Sequence, residues 1–239
     1  MCPFLQVAAF VDKKYQILNP DEHASYLRRK YLNPYDYRPE IVQEALLQIM
    51  SSRLCMAGRL RAVFIRTDEG ILIRVEPQTL IPKTLGSFCN MMGNFLYSCL
   101  YYSIIHPYSW FLSSHPCLSL LKYSINFLVE LLQKFSIKSK GGHGKKLLRL
   151  IQNPVTDHLP VNSRKVGLSF SSPKAVQISD YLSDANCHEN IVFVVGAMGH
   201  GKIDVDYIDD LISVSGYPLG AGTCLRRICI ALERKWKIH

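Results

Sequence analysis

No two of the eight cysteines stand at CxxC spacing, and no Cys/His group has the spacing of zinc ligands, so a zinc-built framework is excluded. The thiols at Cys2, Cys55, Cys89, Cys99, Cys117, Cys187, Cys224 and Cys229 read as reduced, mostly buried side chains of a nuclear or cytosolic protein. A GxGxxG turn is absent, as is the Gly-Lys-Ser/Thr ending of a P-loop, which leaves a phosphate cradle without support. Met1 to Phe10 lack the basic start and long apolar run of a secretory leader. No internal repeat is evident. Acidic residues are in deficit, 19 against 28 Lys plus Arg, and the net charge of +9 suits a polyanion such as RNA or an anionic membrane surface. Charge alone does not choose between them.

What is present is enough apolar side chain, 48% of 239 residues, to build a sizeable core. That length fits one large α/β domain or a domain with an insertion. Met1 to Asn19 read as a strand-like fragment. Asp21 is placed to cap a short helix through Lys30, and Pro39 opens a helix with Ile41, Ala45, Leu46 and Ile49 on one face. LRAVFIR and ILIRVE alternate around TDEG as a β-hairpin. Phe88–Met92 and Val129–Phe135 look like two pieces of one helix. KLLRLIQ reads as a short basic helix after the linker GGHGKK, and NPVTDHLPVNS as a loop. KVGLSF reads as a strand, and IVFVV has the β-branched run of a strand buried on both faces. LISVS follows as another strand, and the last helix carries Leu225, Ile228, Cys229, Leu232 and Trp236 on one side.

Two glycine-bearing loops carry the functional signal. Gly196, Gly199 and Gly201 follow IVFVV; Gly216, Gly220 and Gly222 follow LISVS. Open α/β sheets bind ligands at the carboxyl ends of their strands, and glycine allows close backbone approach there. Such loops are usually plain turns; a ligand held by backbone hydrogen bonds is the sharper reading.

IVFVVGAMGHGK, then ISVSGYPLGAG and a basic terminal helix, closely resemble the pseudouridine N1-methyltransferase family of ribosome biogenesis, a SPOUT-class family. KKYQILNPDEHASYLRR, DYRPEIVQEALLQI, PQTLIPKTLGSFCNMM, LLQKFSI and LLRLIQNPVTDHLPVNSRKVGLSFS extend the match in order over most of the chain. The resemblance implies a single SPOUT domain over residues 1–239: an α/β fold with a C-terminal trefoil knot whose loops bind S-adenosylmethionine. General topology rules would not predict a knot. By motif position, the implied cofactor residues are Leu168, Ser169, Gly196, Gly199, Gly201, Val214, Ser215, Gly216, Tyr217, Pro218, Leu219, Gly220 and Ala221. The family has Ala where Gly199 stands and Ser where Gly220 stands. No residue identifies itself as a base for the N1 proton.

Arg38 matches a family arginine that contacts RNA, and Glu40 stands where an Asp steadies that arginine. Glu40 also reads as a first-turn helix acid. Where the family carries three phosphate-gripping arginines, this chain has Leu80, Lys83 and Ser87, and Lys83 lacks the bidentate fork. Losing two charge-assisted contacts, at about 1.5–3 kcal/mol each, predicts weaker RNA binding. RLCMAG also departs from the family at Arg53, Cys55 and Met56. Residues 93–128 form an apolar, non-family insertion whose single charge is Lys122. It admits three readings: a membrane span over Phe95–Leu112 interrupted by His106-Pro107, a structured insertion, or a non-native segment such as translated intron. Family members also begin earlier, with a central strand for which Cys2–Phe10 is a partial substitute. Together these imply an rRNA methyltransferase of small-subunit assembly, homodimeric, nucleolar, working with other assembly factors. The alternative is a catalytically impaired RNA-binding assembly protein of the same fold, and a third reading is a membrane-anchored protein.

Overall fold

The fold was analysed in a computed structural model that describes residues 8–11, 14–67, 70–96, 136–138, 146–183, 190–199, 203 and 206–238. β1 (Ala8–Val11) and β2 (Lys14–Ile17) pair antiparallel as a separate hairpin. α1 spans Pro20–Arg29, and its cap is Asn19 rather than Asp21: the Asn19 Oδ1 accepts from Glu22 N at 2.8 Å. Pro20 takes the first helical position because it has no N–H to leave unsatisfied. That moves Asp21 into the first turn. After a 3-10 turn at Pro34–Asp36, α2 (Pro39–Met50) buries Val42, Ala45, Leu46 and Ile49, and α3 is the short Arg53–Met56.

β3 (Val63–Arg66) and β4 (Leu72–Val75) form the expected hairpin. Gly70, at φ +79°, returns the chain with its N–H on Thr67 O at 3.0 Å, a conformation open to glycine and strained for other residues. α4 (residues 85–96) follows, with the Thr84 hydroxyl accepting from Ser87 N at 3.4 Å. Residues 93–96 of the apolar segment belong to α4, and 97–128 lie outside the described residues. The helix expected at Val129–Phe135 lies outside them too. Among the described residues no helix is long and apolar enough to cross a membrane.

The basic helix expected at KLLRLIQ is instead a strand, β6 (Lys146–Ile151), between β4 and β5 (Ser136–Lys138) in an antiparallel sheet ordered β3-β4-β6-β5. A helix that short is unstable alone, and pairing on both sides overrides leucine's local preference. Leu148 and Leu150 then point inward with Ile73 and Val75. On the opposite face Arg74 and Arg149 sit directly across from each other. Like charges in that relation destabilise a sheet, and Glu76 answers both, with Oε1 at 2.8 Å from Arg74 Nε and 3.0 Å from Arg149. α2 and α4 cover the inner face, joining Leu46, Phe88 and Met92 to the sheet's core.

The second sheet is parallel, ordered β8-β7-β9, with β7 (Ser163–Leu168) central, β8 (Asn190–Val195) and β9 (Asp210–Ile212) beside it. β8 was expected to be buried on both faces. It is half-buried throughout, because it has one partner strand among the described residues. α5 (Ile178–Ser183), α3 and α6 (Ala221–Lys235) pack with this sheet in a second core around Val166, Leu182, Ile212 and Ile228. α2 and α6 pack on each other. A Cβ at Gly222 would fall 2.8 Å from Glu44 Cγ, so the glycine permits this approach. The expected trefoil knot depends on a path that includes residues 184–189, 200–202 and 204–205, which lie outside the described residues.

β9 is pinned at its start by Asp210. Its Oδ2 accepts from Tyr181 Oη at 2.8 Å, pairs with Lys174 and lies 3.9 Å from Arg164, whose guanidinium stacks 4.5 Å from the Tyr181 ring centre. Burial pushes the Asp210 carboxyl up, but Lys174, Tyr181 and Arg164 outweigh it, and the net position is below the ordinary value. Burial and the bond to Asp210 hold the Tyr181 phenol up at about 12.

Two outcomes follow for stability. Ile73, fully buried at 0% exposure, is expected to cost about 2–5 kcal/mol when cut to alanine; a thermal midpoint unchanged in I73A contradicts the core assignment. Because Asp210 is depressed in the folded chain, its contribution is present above about pH 4 and is lost as pH falls through the lowered value. The gap in thermal midpoint between parent and D210N therefore narrows from pH 6 to pH 3. A gap constant with pH would contradict this.

Candidate functional site

Parallel pairing sends β7, β8 and β9 in one direction, so the segments that leave them emerge at one edge. Ser169 N donates to Ile212 O at 2.9 Å, carrying the pairing one residue past β7. Beyond β9, Ser213 N donates to Lys174 O at 2.8 Å and Val176 N to Ser213 O at 2.9 Å. The next turn is held by Ser213 Oγ on Ser215 O at 2.8 Å and Tyr217 N on Ser215 Oγ at 3.1 Å. Arg227 of α6 reaches back to Val214 O at 3.3 Å. The loop after β8 is anchored differently: Ala197 and Met198 pack against the antiparallel sheet's core.

These three segments enclose a cavity of about 350 Å³, within the range of small-molecule sites. Of the residues expected from the sequence, Leu168, Ser169, Gly196, Gly199, Val214, Ser215, Tyr217, Pro218, Leu219 and Ala221 line it. Gly201 lies outside the described residues. Gly216 and Gly220 do not line the cavity. Gly220 is the N-cap of α6, at φ −64° and ψ 152° with no side-chain cap bond. Positive φ is not what these loops use glycine for: among the described residues, Gly58 and Gly70 are the glycines in that region.

Met198, inside the expected loop from Gly196 to Gly201, also lines the cavity, and so do Phe170, Val195, Ile203, Ser213 and Cys224, which were not foreseen. Phe170, Val195 and Ser213 adjoin the expected loops, so extending each loop by a residue would have found them. Ile203 stands just past the motif that ends at Lys202, two residues beyond the expected loop, and Cys224 comes in from the first turn of α6. Burial pushes its thiol up against the lowering pull of Arg227, so it stays protonated and a poor nucleophile at neutral pH. No described lining residue carries a charge.

Arg38 is the residue before α2, and its Nε donates to Glu40 Oε1. The expected steadying contact is therefore made. Arg38 also lies over the cavity loop: a Cβ at Gly199 would stand 3.7 Å from Arg38 Cγ and 3.8 Å from Tyr35 O. Lys83 is exposed and does not line the cavity. Its neighbour Pro82 is tied to α2, with Gln43 Nε2 donating to Pro82 O at 2.9 Å. Leu80 is 89% exposed.

Fold and cavity define an α/β protein with an uncharged pocket where its parallel strands end, the usual place for a small ligand in such sheets. The EMG1/NEP1 methyltransferase family matches residues 5–101 and 122–233, and the chain belongs to that family. The residues between the two matched stretches, 102–121, fall inside the apolar segment 93–128. The chain is 36% identical over 228 residues to the human ribosomal RNA small subunit methyltransferase NEP1, covering 95% of this chain and 77% of that protein. It is 34% identical to the Caenorhabditis elegans nep-1 protein, over 96% of this chain and 83% of the relative. Its fold resembles the crystal structure of Archaeoglobus fulgidus Nep1 bound to S-adenosylhomocysteine, at TM-score 0.60 and 15% identity, over 92% of this chain and 82% of that one.

The two departures from the family in these loops have measurable consequences. At Gly199 the added Cβ meets ordinary contact distances, so G199A is expected to be accepted and to stabilise by about 0.4–1 kcal/mol through the unfolded state. At Gly220 nothing lies within 4 Å of an added Cβ, and G220S gains a capping hydroxyl worth a few tenths of a kcal/mol, on the order of 0.3. A thermal midpoint that falls in either variant contradicts the loop geometry.

Proposed function

We propose that this chain is an S-adenosylmethionine-dependent methyltransferase that acts on N1 of a pseudouridine in small-subunit ribosomal RNA. The observation that carries the reading is the uncharged cavity at the ends of three parallel strands, in a chain of the EMG1/NEP1 family. The residues present suit the cofactor. Leu168, Val195, Ile203 and Leu219 offer an apolar wall to adenine, and the serines at 169, 213 and 215 sit among them as polar points. α6 begins at Ala221 with no side-chain cap, so its first N–H groups are donors for a carboxylate at the positive helix end. A Cβ at Gly196 would fall 2.8 Å from Met198 Cε, which keeps that wall thin.

When bound, the cofactor supplies a methyl on a sulfonium, an electrophile that needs placement more than activation. The chain's part is then to hold the acceptor in line and exclude water. Arg38, steadied by Glu40 and lying over Gly199, is placed to hold an RNA phosphate beside the cavity, and Lys83 adds a further charge. The N1 proton leaves to solvent or to a group other than the described lining residues, which include no carboxylate, histidine or amine. The acceptor must be in a loop or turned out of its helix. The same reading includes a trefoil knot closing the loops, a homodimer, a nucleolar location in the nucleus, and other assembly factors as partners.

A second reading, a catalytically impaired RNA-binding assembly protein, is favoured by the uncharged, exposed Leu80 and Ser87. One pair of measurements separates them. Calorimetry with S-adenosylhomocysteine is expected to give one site per chain, lost in G196V, and methyl transfer to pseudouridine-containing RNA is expected to follow. Binding without transfer selects the second reading, and no binding by the parent removes the enzyme.

A further inference from the structure

We infer that three exposed aromatic residues, Phe170 and Tyr217 in the cavity lining and Tyr35 on the turn whose backbone lies against Gly199, form a stacking collar for the RNA bases at and beside the acceptor. Phe170 and Tyr217 both line the cavity, yet are 56% and 79% exposed. Tyr35 is 68% exposed on the 3-10 turn whose carbonyl lies against Gly199, a lining residue. Large rings left in water at the rim of a pocket are costly unless something covers them. The three come from separate elements, after β7, after β9 and before α2, so local packing does not explain their coincidence.

The occupant is argued from charge and chemistry. A chain of net charge +9 favours a polyanion, and Arg38 stands beside the collar to meet a phosphate. No described lining residue is charged, so the part of an RNA strand that suits the mouth is its flat, neutral part and not a phosphate. A nucleobase has those properties, and aromatic side chains hold single-stranded bases by stacking whatever their sequence. With Leu80 uncharged and exposed nearby in sequence to Lys83, stacking carries a larger share of RNA affinity than phosphate contacts do. The inference rests on the RNA methyltransferase reading and specifies how the substrate is gripped.

The test uses the full chain and a single-stranded RNA with 2-aminopurine next to pseudouridine, whose fluorescence is quenched by stacking. The parent is expected to quench the probe and to lose affinity only shallowly with salt, as a complex with few phosphate contacts does. F170A, Y217A and Y35A are each expected to weaken RNA binding roughly 5- to 150-fold and to restore fluorescence. F170Y, Y217F and Y35F, which keep the ring, are expected to behave as the parent. Y35A, at a residue outside the cavity lining, should still bind S-adenosylhomocysteine, which shows that the fold and cavity survive. Affinity within twofold of the parent in all three alanine variants overturns the collar while the cofactor reading stands. So does a dimer that dissociates in those variants with RNA binding unchanged, since the rim is then a protein interface. A parent that binds RNA without quenching the probe also overturns it. A parent that fails to bind the homocysteine product points instead to failure of the methyltransferase reading.

Discussion

Pairing of β7 in parallel with strands on both sides is the constraint on which the site depends. Antiparallel neighbours would return their loops to opposite edges. Parallel ones deliver three chain exits to the same edge, and each exit here contributes a wall of the cavity. The Asp210 cluster supports this by fixing where β9 begins against β7 and α5, at the end of the strand away from the cavity. Stability and ligand geometry are thus linked through one short strand of three residues.

The antiparallel sheet serves the site indirectly. Its core extends to Ala197 and Met198 of the loop after β8, so the cavity's second wall leans on a different hydrophobic cluster from the one beneath β7 and β9. α2 joins the two halves: its buried face packs under the antiparallel sheet, it meets α6 at the Gly222–Glu44 approach, and it begins at Arg38. A single helix therefore sets both the packing between the halves and the place of the cation beside the cavity mouth.

The lining has a consistent chemical character. Serine hydroxyls and free helix-start N–H groups are set among aliphatic walls, with charge kept to the rim. Such a site recognises by shape, stacking and neutral hydrogen bonds. Within it the Cys224 thiol is held protonated by burial, so it does not compete for a methyl group.

Much of this was legible in the chain. Alternation marked the β3–β4 hairpin, helical spacing marked α2 and α6, and ordered motifs indicated ten residues that do line the cavity. These succeed because period and turn chemistry are local properties, and because a motif's order preserves its place in a fold. The helix expected at KLLRLIQ failed because six of its seven residues are held as a strand by β4 and β5. The half-burial of β8 depends on how many strands stand beside it, and the cap at Asn19 on where Pro20 lets the helix begin. Likewise Phe170, Ile203 and Cys224 lie on separate stretches of the chain, and no spacing along it says that they meet. Only close packing of separate elements brings them to one opening, and that is a property of the assembled structure.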